Sequence, residues 1–282
     1  MVTPAVSGHY APGDLTDAVL DALTAAGKDV EHLMPADLAP LDQYHLGGTG
    51  ATRGLARLAE VRAGMRVLDV GGGIGGPART LANEFGAVVT VLDLTAEYCR
   101  VGAMLTERTG LADRVTFQQG DALDLPFAGG QFDLVWTQHS SMNIADKGRL
   151  YGEMYRVLRP SGRLALFEAM AGPVQPVHFP VPWAHGPAIS FLQPPDSAQA
   201  ILTRAGFRVV TWNDVTDAMR APASGPSPGT APDGPPPLGI HLLVGPQFPV
   251  MVRNYARNLA EGRVVVIQAI LDRAMVGKGR ED

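Results

Sequence analysis

A single cysteine, Cys99, in 282 residues excludes an intramolecular disulfide and a thiolate metal cluster, because either needs more than one thiol. Cys99 reads as a packed thiol on a helix. Basic runs are missing too. With net charge −5 and a pI near 5.8, the chain lacks the positive footprint of nucleic-acid binders, so no nucleic-acid partner is expected. No stretch approaches the roughly 18 uninterrupted apolar residues of a membrane span. The opening Met-Val-Thr-Pro-Ala-Val-Ser-Gly-His has neither the basic nor the apolar region of a secretory leader. The expectation is a cytoplasmic protein without a membrane partner. What the chain does have is apolar residues, 46% against 18% charged, enough for the core of one large α/β domain with additions.

Residues 67–76, Val-Leu-Asp-Val-Gly-Gly-Gly-Ile-Gly-Gly, are a short apolar run breaking into glycines ahead of helix-compatible sequence. A ligand approaches the main chain closely only where no Cβ intervenes, and such a turn demands positive φ. Gly71, Gly73 and Gly76 satisfy GxGxxG, a spacing shared with nicotinamide and flavin sites. Twenty residues after Gly73, the run Val88–Leu92 ends in Asp93, placed to accept hydrogen bonds from a ribose diol. Strands are expected near 66–70, 88–92, 114–118, 132–137, 163–168, 207–212 and 263–271. Helices are expected near 14–27, 49–61, 75–85, 95–109, 146–158, 196–205 and 246–261. Alternation of this kind implies an α/β, Rossmann-like sheet of seven mostly parallel strands, with its ligand beyond their carboxyl ends. Two segments interrupt it. Residues 171–195 hold seven prolines with His178, Phe179, Trp183, His185 and Phe191, too apolar for a linker and too proline-rich for a helix, and read as a lid. Residues 221–237 have low complexity and read as a flexible proline-rich loop.

Together with Gly120-Asp121-Ala122 after the third strand and Leu158-Arg159-Pro160-Ser161-Gly162 before the fifth, this series resembles the class I S-adenosylmethionine (SAM) dependent methyltransferases over residues 60–216. The Trp136–Asn143 segment and the insertion after strand five resemble its small-molecule branch, which includes sarcosine and dimethylglycine N-methyltransferases and natural-product tailoring enzymes. The resemblance implies a SAM domain over 63–282, an N-terminal helical cover over 1–62, and S-adenosylhomocysteine as product. It implies that Asp69, Gly71 and Gly73 hold the methionine part of SAM, and Asp93 with Leu94 the ribose end. Gly120, Asp121, Ala122 and Leu123 would surround the adenine, with Gln138 and Tyr44 shaping the cofactor site. A dehydrogenase reading explains the glycines and Asp93 but not Gly120-Asp121. A further alternative keeps SAM binding but replaces transfer with cyclisation or decarboxylation, since fold does not fix function.

Methyl transfer is an in-line displacement from a good leaving group, so alignment dominates and a base matters only for a protonated nucleophile. His139, just past strand four, is the first candidate base, because an imidazole titrates near working pH; a structural histidine at a strand end is the alternative. His45, beside Tyr44 in a glycine-flanked turn, is the second. Trp183 with Phe179 could offer a π-face to substrate, or be local core, and Asn143 could bind substrate polar groups. Asp121, Asp124 and Asp133 lack the spacing of a magnesium cluster, so no metal is expected. The expected partner is a small-molecule methyl acceptor, its transfer site an amine nitrogen or a hydroxyl oxygen. Arg53, Arg220 and Arg253 are the arginines that could clamp a carboxylate on it, and a homodimer is left open.

Overall fold

The computed structural model describes residues 15–220 and 237–274; nearly all of the 221–237 loop lies outside them. Seven strands form one sheet in the order β3-β2-β1-β4-β5-β7-β6. They are β1 (Arg66–Val70), β2 (Val88–Asp93), β3 (Val115–Gln119), β4 (Phe132–Gln138), β5 (Leu158–Ala171), β6 (Phe207–Asp214) and β7 (Val264–Arg273). The first five pair in parallel, and β7 runs antiparallel between β5 and β6. β5 begins earlier than its composition suggests. Leu158 pairs with Phe132, the register then shifts, and Arg163 resumes opposite Leu134, so the Leu-Arg-Pro-Ser-Gly turn is a bulge inside the strand.

Helices α1 (Leu15–Ala25), α2 (Pro35–Asp42) and α3 (Gly48–Leu58) precede the sheet, and α4 (Gly76–Phe85), α5 (Ala96–Arg108) and α6 (Lys147–Val157) cross over it. α7 (Pro195–Arg204), α8 (Thr216–Arg220), α9 (His241–Val244) and α10 (Phe248–Ala260) complete the described helices. α2 is absent from the sequence expectation, because Pro40 inside an eight-residue helix reads as a breaker. Two apolar cores cover the faces of the sheet. A third joins Leu15, Val19 and Leu23 of α1 with Leu38 and Leu41 of α2, Tyr98 and Leu105 of α5, and Leu243 and Met251. The cover over the glycine turn thus draws on both ends of the chain. No helix among the described residues is long and apolar enough to cross a membrane.

The cover is locked by charge as well as by packing. Asp42 Oδ2 lies 2.8 Å from Arg79 Nη2, both side chains almost fully buried, and Arg79 Nη1 also donates to Thr106 Oγ1 at 2.9 Å. The backbone approach is so close that a Cβ on Gly76 would meet the Asp42 carbonyl at 2.1 Å.

Candidate active site

A cavity of about 380 Å³ opens at the carboxyl ends of β1, β2, β3 and β4. Its floor is the glycine turn. Gly71 and Gly73 have φ of +72° and +56°, but for different reasons. A Cβ on Gly71 would strike Ser140 at 2.4 Å, whereas one on Gly73 would meet nothing nearer than Tyr98 at 3.9 Å. Gly71 is therefore required by packing, and Gly73 leaves open space against the main chain where a ligand can lie.

Two carboxylates face this space. Asp93 receives the Gly73 and Thr95 amides on separate oxygens, at 2.9 and 2.8 Å. Each oxygen keeps a further lone pair, the pattern a ribose diol needs. Burial nevertheless raises its pKa. Asp69 is only 1% exposed and its Oδ2 has no partner in the protein. Burial, and then the charge of Asp93, push the Asp69 carboxyl up to about 8. A buried, unpartnered acid beside another acid calls for a cation. The ammonium and sulfonium of SAM meet that demand, so the donor set fits the cofactor.

Leu94, Gly120, Asp121, Ala122 and Leu123 line the far end. Asp121 holds its turn by accepting the Leu123 amide at 2.8 Å. Gln138, His139 and Asn143 line the opposite wall, with Tyr44 and His45 from the cover. His139 follows β4 directly, with φ +51°, a conformation uncommon outside glycine. Its turn is held by Glu168, a fully buried carboxyl that accepts the Thr137 hydroxyl at 2.6 Å and the Ser141 amide at 3.2 Å. His139 Nδ1 lies 3.0 Å from the Phe167 carbonyl, which can only accept, so Nδ1 carries the proton and Nε2 the lone pair. Tyr255 Oη, 3.3 Å from Nε2, is the donor that this tautomer allows. Burial and then His45 lower the His139 pKa to about 3, and burial lowers that of His45 to about 4. The two rings, 6.3 Å apart, are neutral imidazoles at neutral pH. His45 is held on both nitrogens, with Nδ1 3.1 Å from the Leu46 carbonyl and Nε2 beside the Thr52 hydroxyl at 3.1 Å and Gln43 Oε1 at 3.2 Å.

Trp183 and Phe179 do not line the cavity. Trp183 is 1% exposed, packs edge-on against Tyr255 and donates its indole N–H to Ser190 Oγ at 3.0 Å; Phe179 packs on the same core. The expectation of a substrate-facing aromatic pair is therefore corrected: burial of the rings against the core outweighs their exposure to a ligand. The segment that carries them is tied down through its carbonyls. Asn143 Nδ2 donates to Trp183 and Ile189 at 2.7 and 2.8 Å, Asn254 to Pro180 at 2.9 Å, Asn258 to His178 at 2.9 Å, and the Tyr44 hydroxyl to Pro182. Asn143 thus reaches the cavity while spending its amide on the segment.

None of the three arginines considered as substrate clamps lines the cavity. Arg53 pairs with Glu84, and Arg220 is taken up by Asp217 and the Leu259 carbonyl; Arg253 is exposed on α10. Glu168 stands out in the sequence only as a strand-end residue for substrate polar groups or a cap, Thr52 only as a helix start, and Tyr255 not at all. Each acts on residues between 7 and 116 positions away, and only the short Thr52–His45 separation on a helix start offered a signal.

A family model described as a methyltransferase domain matches residues 68–166. Methyltransferase GfsG of Streptomyces halstedii is 32% identical over 215 residues, 74% of this chain and 76% of that protein. A probable tocopherol O-methyltransferase of Oryza sativa subsp. japonica is 44% identical over 100 residues, 36% of this chain and 28% of that protein. In structure, the geranyl diphosphate C-methyltransferase of Streptomyces coelicolor A3(2), solved with S-adenosyl-L-homocysteine, aligns over 97% of this chain and 98% of its own with a TM-score of 0.67. At 18% identity that likeness establishes the fold alone.

Proposed function

The chain belongs to the class I SAM-dependent methyltransferases, and on that premise we propose that it methylates a hydroxyl oxygen of a small metabolite, with His139 as proton acceptor. The observation that carries this reading is the tautomer of His139: Nδ1 is committed to Phe167, so the lone pair sits on Nε2, where it accepts from Tyr255 Oη over a long 3.3 Å contact that an acceptor hydroxyl could replace. Bound SAM supplies an electrophilic methyl carbon on a sulfonium. The remaining work is to hold the acceptor in line and to take its proton, and alignment of this kind can contribute on the order of 7–11 kcal/mol.

The weakness of His139 as a base supports oxygen over nitrogen. An amine that arrives as ammonium has no lone pair, so it must lose its proton before attack, and an imidazole with a pKa near 3 cannot take it. A hydroxyl keeps lone pairs while protonated. Its proton becomes strongly acidic only as the new C–O bond forms, when even a weak, correctly placed base suffices. The O-methyl chemistry in the name of the rice relative supports the same reading.

The test incubates the purified chain with methyl-labelled SAM and a panel of phenols, alcohols and amines, and locates the label by mass spectrometry. Label on oxygen, with turnover reduced about 100-fold in His139→Asn, is the expected result. Label on nitrogen or carbon would sink the hydroxyl reading. SAM retained without demethylated product, while a substrate is cyclised or decarboxylated, would replace transfer by the non-transfer chemistry.

A further inference from the structure

We infer that Gln138 positions the acceptor through its side-chain amide nitrogen, and that the acceptor is an uncharged molecule presenting a carbonyl or hydroxyl oxygen to it. This rests on the methyl-transfer reading of the same cavity.

The orientation of the Gln138 amide is decided by its neighbours. The indole N–H of Trp136 can only donate and lies 2.9 Å from Gln138 Oε1, with the Thr52 hydroxyl 3.3 Å from the same oxygen. Exchanging oxygen and nitrogen would set two donors against each other. The NH₂ end is therefore the one turned away from Trp136, and it is buried without a partner in the protein. Gln138 is 8% exposed and lines the cavity between His139 and the cover. A buried donor left without an acceptor is costly, and a ligand oxygen brought against it by a small shift of this wall would relieve the cost.

Charge narrows the class of ligand. The cavity lining includes Asp42, Asp69, Asp93, Asp121 and Asp146, and among the described residues it includes no lysine or arginine. Of the sequence outside the described residues, 1–14 and 221–236 hold no lysine or arginine, and 275–282 holds Lys278 and Arg280. A carboxylate or phosphate entering here would find no lysine or arginine in the described lining, whereas a neutral oxygen needs only the donor that Gln138 offers. The same lining disfavours a glycine-like zwitterion.

The test uses the full chain saturated with S-adenosylhomocysteine and three probes of similar size: acetophenone, toluene and benzoate. Affinities are read by ligand-observed NMR. Acetophenone should bind roughly fivefold or more tightly than toluene, the worth of one neutral hydrogen bond, and benzoate about tenfold or more weakly than acetophenone. In Gln138→Met the preference of acetophenone over toluene should vanish. Should that variant fail to fold for want of the oxygen that Trp136 requires, ¹⁵N spectra of the unmodified protein decide instead. The Gln138 side-chain amide signals should shift with acetophenone and stay in place with toluene. Benzoate binding as well as acetophenone, a preference surviving in Gln138→Met, or unmoved amide signals would each overturn the inference. None of these readouts requires turnover, so a failure of the hydroxyl reading, seen as label on nitrogen or carbon, remains a separate result.

Discussion

Breaking the Asp42–Arg79 pair should do more damage than its single ion-pair contact suggests. With Arg79 fully buried and Asp42 nearly so, replacing Asp42 by alanine leaves a guanidinium out of water with only Thr106 Oγ1 and the Gly102 carbonyl for company. Removing one member of such a pair costs about 3–5 kcal/mol. At about 2–4 °C per kcal/mol for a chain of this size, Asp42→Ala should lower the melting temperature by roughly 6–20 °C. Arg79→Met, which removes the charge but keeps volume, should cost a similar amount by stranding Asp42. The double variant should then be no worse than either single one, because no charge remains unpaired. Calorimetric scans of the four proteins, each with and without S-adenosylhomocysteine, give the cycle. Single variants within about 1 kcal/mol of the parent, or losses that simply add, would refute the claim that this pair docks the cover.

Asp93→Asn should weaken SAM binding by about 30-fold, from the loss of charge-assisted bonds to the ribose, read by titration calorimetry; unchanged affinity would remove Asp93 from the site. His139→Asn, which tolerates the positive φ, should leave SAM affinity within about threefold while turnover falls, and equal losses in both would mark a structural role. The pH profile of the ligand-free protein follows chiefly from three shifted groups. His45 and His139 stay neutral in the fold while unfolded histidines take protons below about 6.5, so their contribution to stability is lost as pH falls through that value toward 4. Asp69 stays protonated in the fold up to about 8 while its unfolded form ionises near 3.8, so it removes stability as pH rises between those values. Above about pH 6.5 the histidine gain is complete while Asp69, with Asp93 and Glu168 raised in the same direction, still removes stability, so thermal scans should fall between pH 6.5 and 8; a plateau extending to 8 would contradict the Asp69 shift. If a cation binds beside ionised Asp69, SAM binding below pH 8 should also release close to one proton. Calorimetry in buffers of different ionisation enthalpy measures it, and zero release would place the cation elsewhere.

Much of the fold was legible because its signals are local. Apolar runs ending in glycine or aspartate mark strands whose ends form a site, which is why Gly71, Gly73 and Asp93 could be found by spacing and Asp69 and Asp121 through the family resemblance, and all five line the cavity. α2 escaped because a proline interrupts a very short helix. Trp183 shows the opposite limit. An aromatic in a proline-rich insertion has the same composition whether it faces a ligand or the core, and only the position of Tyr255, 72 residues downstream, decides between them. The basicity of His139 was likewise invisible, since the burial that lowers it comes from elements that the sequence does not place beside it.

The insertion between β5 and α7 is gripped at the carbonyls of Pro176, His178, Pro180, Pro182, Trp183 and Ile189, by side chains that all belong to other elements. Every residue type carries a carbonyl, so the anchors are indifferent to what stands at most of these positions. Partly exposed side chains along the insertion can therefore change without loosening it, and the wall of the cavity gains a neighbour whose chemistry can drift while its path stays fixed. The exposed positions of the insertion are thus places where substitutions cost the scaffold little.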